Sequence, residues 1–351
     1  MITVVFGTRP DAIKLSPVVA ALRDLGAPLR VVCTGQHTDL LRGTPAETDL
    51  ADAVSLNLIA LPSPERWVEM AQPRIAMALD VTEASLVVVQ GDTASAIAGA
   101  RAAAECGIPL AHVEAGVRSG CLQEPWPEEG FRREITRLAS WHYAATTTAY
   151  ANLLTDGVEQ GRIRLTGNPV VSALHRYADP RPRAPEAFVM LTMHRREWLA
   201  QGINLFMHAL AEACIDHARL DVLWPMHPHV RAHLPTRGDW QKPANLWLDQ
   251  PMPYREMIDL VARSCGVATD SGGLVEEAAT LGVPSAILRR HNDRPEAVEA
   301  GVARQFVPGE VRAAIDLLAT GGLPRRTTTC YGQADAALLI ARHLTSLVEE
   351  S

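Results

Sequence analysis

The chain has 351 residues, 47% of them apolar and 21% charged, with a formal net charge of −7. That length suits two domains, each with a sizeable core, and the acidic balance excludes the broad basic face that nucleic acid demands. No apolar run reaches the roughly 18 residues of a membrane span and the chain opens directly on a strand pattern, so neither a span nor a leader is expected.

The first strand is Ile2–Phe6, followed by the turn Gly7-Thr8-Arg9-Pro10 and a helical periodicity over 11–25. A second strand over 29–33 leads to Thr34-Gly35-Gln36-His37. Residues 42–66 are polar, punctuated by proline and without clear periodicity; 69–79 reads as a helix. Strands at 86–90 and 110–113 enclose a helix at 94–106. A helix at 129–140, a short strand at 141–145, a helix at 148–156 and a strand at 163–166 complete this half. Strand and helix alternate throughout, which predicts a parallel, doubly wound sheet.

Prolines at 180, 182 and 185 mark 177–186 as a linker or surface loop. The alternation then restarts. Strands are expected at 187–192, 221–225, 246–248, 266–269 and 285–288, with helices at 202–218, 254–264 and 273–281. Two helices close the chain after Gln305, the last over 333–347. The expected division is 1–170, rejoined by a C-terminal helix within 333–351, and 171–332. Two successive open sheets imply a cleft between similar lobes, with the site at their strand ends. The six cysteines (Cys33, Cys106, Cys121, Cys214, Cys265, Cys330) form no Cys-x-x-Cys pair and read as reduced thiols of a cytoplasmic protein.

Three acidic residues stand out. Asp92 and Glu114 each follow a buried, apolar strand, and Glu128 lies in Pro125-Trp126-Pro127-Glu128-Glu129. A carboxylate just past a buried strand is costly unless bonded, so it is either capping a turn or engaged in chemistry. The Gly7–Asp11 turn presents amides at a helix start, with Arg9 suited to bidentate phosphate contact. It lacks the Gly-x-Gly-x-x-Gly spacing of a dinucleotide fold, so no nicotinamide cofactor is indicated. In the second half, Thr269-Asp270-Ser271-Gly272-Gly273 with Glu276 and Glu277 offers a second helix start for phosphates, with a glutamate placed for ribose hydroxyls. His194, Arg195 and Arg196 after one strand, and His227 after the next, suggest a cationic pocket wall. Arg294 adds a basic point on a later loop. His227, His229 and His233 raise a zinc site as a rival, but their spacing matches no ligand pattern, and no metal is expected.

Taken in order, these motifs resemble the non-hydrolysing UDP-N-acetylglucosamine 2-epimerases of bacteria. The matching pieces are Gly7–Lys14, Gly91–Thr93, His112–Gly116, Pro125–Glu129, Thr166–Asn168, His194–Glu197, Thr269–Gly273 with Glu276 and Glu277, and Arg294–Ala297. The resemblance implies a GT-B-like α/β fold of two Rossmann-like lobes, a UDP-sugar substrate, no cofactor and no metal; a homodimer is expected. It further implies catalytic roles for Asp92, Glu114 and Glu128, and for His227 beside the diphosphate. Arg9, Arg132, His194, Ser271, Gly272, Gly273, Glu276 and Arg294 are the implied substrate contacts.

The chain departs from the family pattern at Asp11 (usually glutamate), Phe131 and Trp198 (usually asparagine), and Pro169 and Asn292 (usually threonine). Residues 42–79 are shorter than the family's and largely unlike them. The resemblance assigns that region to a second, activating UDP-sugar; Gln36 and His37 keep its start, but Asp39 adds a negative charge. Rival readings are a hydrolysing epimerase, an epimerase on a related UDP-sugar, a GT-B glycosyltransferase and a non-catalytic UDP-sugar sensor.

Overall fold

A computed structural model describes residues 1–36, 44, 46–59, 61–81, 83–226, 228–234 and 241–349. The chain divides into two compact units, 1–177 with 331–351, and 178–330. In the first unit β1 (Ile2–Phe6) leads to α1 (Arg9–Asp24), β2 (Leu29–Cys33), α2 (Ala46–Asp49) and β3 (Val54–Ser55). Then come α3 (Pro64–Val81), β4 (Leu86–Gln90), α4 (Ala94–Glu105), β5 (Leu110–Ala115) and α5 (Glu128–Leu138). The run ends with β6 (Trp141–Ala144), α6 (Thr147–Thr155), β7 (Ile163–Leu165) and α7 (Pro169–Tyr177).

All seven strands are parallel, in the order β3-β2-β1-β4-β5-β6-β7. Parallel strands require helical crossovers on both faces, which is why β1, β4 and β5 are wholly buried, Val-rich or Ala-rich runs rather than alternating ones. One face packs Ile2, Val4, Val88 and Val113 against Leu15, Val18 and Leu22 of α1. The other packs Val5, Val87 and Val89 against Ile97 of α4, Ile75 and Leu79 of α3, and Ile135 of α5.

The second unit repeats the plan. β8 (Phe188–Thr192), α8 (Arg196–Asp216), β9 (Asp221–Pro225), α9 (Pro228–Arg231), β10 (Leu246–Asp249) and α10 (Tyr254–Arg263) come first. β11 (Gly266–Thr269), α11 (Gly272–Leu281), β12 (Ser285–Leu288), α12 (Glu296–Glu299), β13 (Ala303–Phe306) and α13 (Val311–Ala319) follow. Its six parallel strands run β10-β9-β8-β11-β12-β13 around Val189, Leu191, Trp224, Ala268 and Leu288. Both orders are Rossmann-like, reversing beside the first strand: at β1/β4 in one sheet and at β8/β11 in the other.

Several expectations need adjustment. The unpatterned 42–66 stretch contains α2 and β3, both too short to show periodicity. α7, α9, α12 and β13 went unread; β13 buries its first and last residues and exposes the two between, so it has no alternation to detect. α8 starts at Arg196, six residues early, because it continues across a break at Gly202, whose φ is 138°. The first unit reaches Tyr177 rather than 170 because α7 packs on α1 and on α14 (Ala336–Glu349).

α14 returns to the first unit, burying Ala337, Ile340, Ala341 and Leu344 beside α1. Its approach depends on two glycines. A Cβ on Gly332, at φ +97°, would lie 2.4 Å from the Gly167 Cα. Backbone cannot retreat as a side-chain tip can, and that φ is itself unfavourable for an L side chain. Gly332→Ala should therefore lower the unfolding midpoint of the first unit by several degrees, at about 2–4 °C per kcal/mol for a unit of this size. Differential scanning calorimetry checks this; an unchanged midpoint would show that the 331–335 connection yields freely.

Candidate functional site

The site residues of the first unit lie where a doubly wound sheet places its chemistry, past the carboxyl ends of β1, β4 and β5. Thr8 caps α1 in a reciprocal box: its hydroxyl accepts from the Asp11 amide, and Asp11 accepts from Thr8 N at 3.1 Å and Gly7 N at 3.3 Å. Asp11 also accepts from the Thr93 hydroxyl at 3.1 Å, and Thr93 caps α4. One carboxyl thus ties the turn after β1 to the turn after β4. Gly7 is required here, since a Cβ would sit 1.8 Å from Ser95 Oγ at the start of α4. Burial pushes the Asp11 carboxyl up to about 7, against hydrogen bonds from Thr8, Gly7 and Thr93 that lower it.

Glu114, the last residue but one of β5, has φ 62°, a left-handed conformation that glutamate rarely adopts. The β5–β6 register slips at this residue, between Val113 and Ala115. Its buried carboxylate accepts from Lys14 Nζ, from Gln90 Nε2 at 2.9 Å and from Asn168 Nδ2 at 3.0 Å. A bulge of this kind re-aims a side chain, and three donors offset the desolvation of a charge that would otherwise neutralise. His112, two residues earlier, donates from Nε2 to the Gly91 carbonyl at 2.8 Å and so anchors the turn carrying Asp92. Burial is the main reason its imidazole is lowered to about 3, which keeps it neutral.

Asp92 does not cap α4; Thr93 does. Instead Asp92 Oδ2 receives Arg132 Nε at 2.6 Å and Nη2 at 2.5 Å. Arg132 lies on α5 beside Glu129, which is wholly buried. Glu128 is the first residue of α5, after the Trp126–Pro127 turn. Arg9 is the first residue of α1 and partly exposed.

In the second unit Ser271 caps α11, its hydroxyl accepting from Leu274 N at 3.4 Å. Beneath that turn lies Asp270, fully buried, whose Oδ2 accepts from the amides of His194 at 2.8 Å and Arg195 at 2.9 Å, while His194 Nδ1 lies 2.8 Å from Oδ1. Burial raises its carboxyl, but His194 and Arg195 outweigh that and hold it well below the usual carboxylate range. Arg195 and Arg289 donate to the Asp270 carbonyl, at 3.2 and 2.6 Å. Arg294 Nε meets Glu276 at 2.6 Å, with both side chains buried. Burial lowers the Arg289 guanidinium to about 10, Asp293 opposing that and Arg195 and Arg294 adding to it. Three guanidiniums around a helix N-terminus suit an anion of high charge.

A family model described as UDP-N-acetylglucosamine 2-epimerase matches residues 20–345. The chain belongs to the UDP-N-acetylglucosamine 2-epimerase family. The enzyme of that name from Escherichia coli K12 is 33% identical over 325 residues, covering 86% of this chain and 85% of its own. The Neisseria meningitidis UDP-GlcNAc 2-epimerase bound to UDP-GlcNAc superimposes with a TM-score of 0.86 at 27% identity, covering 98% of this chain and 99% of that one. The S. aureus MnaA–UDP structure gives 0.87 at 27% identity, over 99% of this chain and 96% of that one. The Rossmann-like sheets are thus those of the GT-B-like epimerase fold.

Within this family frame, the first unit carries Arg9, Asp92, Glu114, Glu128 and Arg132. The second carries His194, Ser271, Gly272, Gly273, Glu276 and Arg294. His227, His37 and Asp39 lie outside the described residues. Glu276, expected at the ribose, is bound to Arg294 and 1% exposed, while Glu277 accepts from the Tyr254 hydroxyl at 2.8 Å. Lys14, Gln90, Asn168 and Arg289 received no role from the sequence. Lys14 was the most legible, a lone cation inside the apolar run of α1, which is buried from Asp11 to Ala20. Among the described residues, no cluster of three or more metal-ligating side chains occurs, and no helix is long and apolar enough to cross a membrane.

Asp11 sets a pH dependence. Its folded value lies above that of an unfolded aspartate, so the native chain holds an extra proton from the ordinary aspartate range up to about pH 7. Its contribution is complete at the acid end and is lost as pH rises through about 7. The unfolding midpoint of the wild type should therefore fall, relative to that of Asp11→Asn, between about pH 4 and about pH 7. Parallel slopes for the two proteins would place the Asp11 charge elsewhere.

Proposed function

We propose that this chain inverts C2 of UDP-N-acetylglucosamine to give UDP-N-acetylmannosamine, by elimination of UDP to a glycal and re-addition. The observation that supports this most is the pair of held carboxylates, Glu114 at the carboxyl end of β5 and Asp92 just past the adjacent strand β4. The C2 proton of the sugar is not acidic, so direct exchange would be slow. Departure of UDP gives the sugar oxocarbenium character as the C2–H bond breaks, and a carboxylate takes the proton. The electron pair of that bond becomes the C1–C2 double bond while the C1–O pair leaves with UDP. Protonation of C2 on the opposite face and return of UDP to C1 complete the inversion.

Two acids on opposite faces are needed, with a third to orient or share the proton; Asp92, Glu114 and Glu128 are the candidates. In this reading the first unit supplies the acid–base groups. The second holds UDP through the Ser271-Gly272-Gly273 turn, His194 and Arg294, with Arg289 added to that set. Preorganised guanidiniums stabilise the charge that develops on the departing diphosphate. Arg9, at the start of α1, is the first unit's candidate for an anion contact. His227 belongs with the diphosphate in this scheme.

Incubation with UDP-N-acetylglucosamine in D2O, followed by NMR, tests the proposal. The expected product is UDP-N-acetylmannosamine with deuterium at C2, and added chelator leaves the rate unchanged. Free N-acetylmannosamine would indicate the hydrolysing reaction, and no exchange would leave a binding protein. Asp92→Asn, Glu114→Gln and Glu128→Gln should each lower turnover by about 100-fold or more, the scale of a lost acid or base, with UDP affinity little changed. Near-full activity in two of the three would remove the acid assignment.

Rate against substrate concentration should be hyperbolic. Residues 42–79 are unlike the family's, and an effector shifts an equilibrium only through contacts that differ between states. A Hill coefficient clearly above one would show that a second UDP-sugar site persists.

A further inference from the structure

Glu129 has a charge that the reaction does not need and a burial that a free carboxylate would not tolerate. Its side chain is 0% exposed. It accepts from the Ser119 amide at 2.9 Å, from Arg133 Nε at 3.1 Å and from Arg132 Nη1 at 3.3 Å. Arg132, 5% exposed, turns its other edge to Asp92, with Nε at 2.6 Å and Nη2 at 2.5 Å from Oδ2. Asp92 is 24% exposed. Exposure thus rises stepwise along the relay, from the anchored carboxylate to the one that faces outward.

The planar guanidinium makes this relay directional. Nη1 points to Glu129, while Nε and Nη2 form the fork that meets Asp92, so fixing one edge fixes the other. Glu129 and Arg132 are three residues apart on α5 and share a face. Glu129 is also in the first helical turn, where the helix dipole favours a negative charge. The Ser119 amide ties the same carboxylate to the loop that leaves β5, the strand carrying Glu114. We propose that Glu129 is a positioning residue for the reaction proposed above, on which this inference rests. It clamps Arg132, and Arg132 sets the orientation in which Asp92 meets the sugar.

Loss of the clamp returns rotamer freedom to Arg132 and lets Asp92 drift. Misplacement by about 1 Å costs up to about 100-fold in rate. UDP binding, assigned to the second unit, should not change. Glu129→Gln keeps the size and one acceptor but removes the charge. It should lower kcat about 10-fold or more, while KM stays within about twofold. Arg133→Gln removes a different partner of Glu129, one that does not reach Asp92, and should keep kcat near that of the wild type.

A second readout does not depend on turnover. In 15N NMR the Arg132 Nε–H, assigned by its absence from Arg132→Lys, should give a resolved, slowly exchanging signal in the wild type. That signal should be averaged away in Glu129→Gln and retained in Arg133→Gln. A folded Glu129→Gln protein that keeps both the signal and kcat overturns the proposal. So does an Arg133→Gln protein that loses kcat equally, since the cluster would then serve the fold as a whole. A wild-type Arg132 signal that is already averaged overturns it without any Glu129 variant. A wild type without C2 exchange would instead defeat the reaction assigned above, and the NMR comparison would still decide the clamp.

Discussion

A carboxylate that must be ionised, oriented and shielded from bulk water needs donors enough to replace its hydration. The first unit is arranged around that requirement. Glu114 is held by Lys14 from α1, Gln90 from β4 and Asn168 from the loop after β7, so three separate elements converge on one side chain. The left-handed backbone at Glu114 and the register slip beside it are local costs of this aim. They persist because the flanking strands, buried on both faces, leave the backbone no cheaper arrangement.

The same requirement explains the polar layer above the sheet. Asp11 draws together the turns after β1 and β4. His112, kept neutral by burial, fixes the Gly91 carbonyl without adding a positive charge beside the acids. Arg132 lies between Asp92 and Glu129, so an ion pair that would contribute little on the surface acts here as a geometric device. β1, β4 and β5 are neighbours at the middle of the sheet, so the topology, reversing at β1/β4, brings the turns at their carboxyl ends side by side.

The parallel sheets were legible because buried β-branched runs such as Val87–Gln90 and Gly266–Thr269 alternate with helical periodicities and glycine turns. The shortest elements were not: α2, α12 and β3 have too few residues for any period to emerge. In the candidate site, the residues that the sequence singles out are those with unusual neighbours, namely Asp92, Glu114, Glu128 and the Ser271 turn. Their partners were missed. Gln90 reads as the last residue of an apolar strand, Asn168 as part of a turn, and Arg289 as one of two arginines after β12. Their roles follow from three-dimensional convergence, which one-dimensional spacing does not carry. Glu276 shows a partner that spacing alone does not reveal. Its position after a glycine turn suggests a reach to ribose hydroxyls, and its carboxylate is bound to Arg294.

One topology thus serves two opposite electrostatic tasks. Past β4 the Asp92 carboxylate, 24% exposed, is the outward group and Arg132, 5% exposed, supports it. Past β8, β11 and β12 the arginines surround a helix N-terminus and the acids support them: Asp270 beneath the turn, Asp293 on Arg289 and Glu276 on Arg294. The inversion needs no change of fold, because a doubly wound sheet fixes only where loop residues emerge. Which sign faces outward depends on which partner is the more deeply buried. In the second unit that partner is an acid, Asp270, held ionised by His194 and two backbone amides. An elimination that separates a proton from a diphosphate requires one surface of each kind, each charge already compensated from below. Otherwise the free energy released as charge develops would be spent on reorganising the protein instead of lowering the barrier.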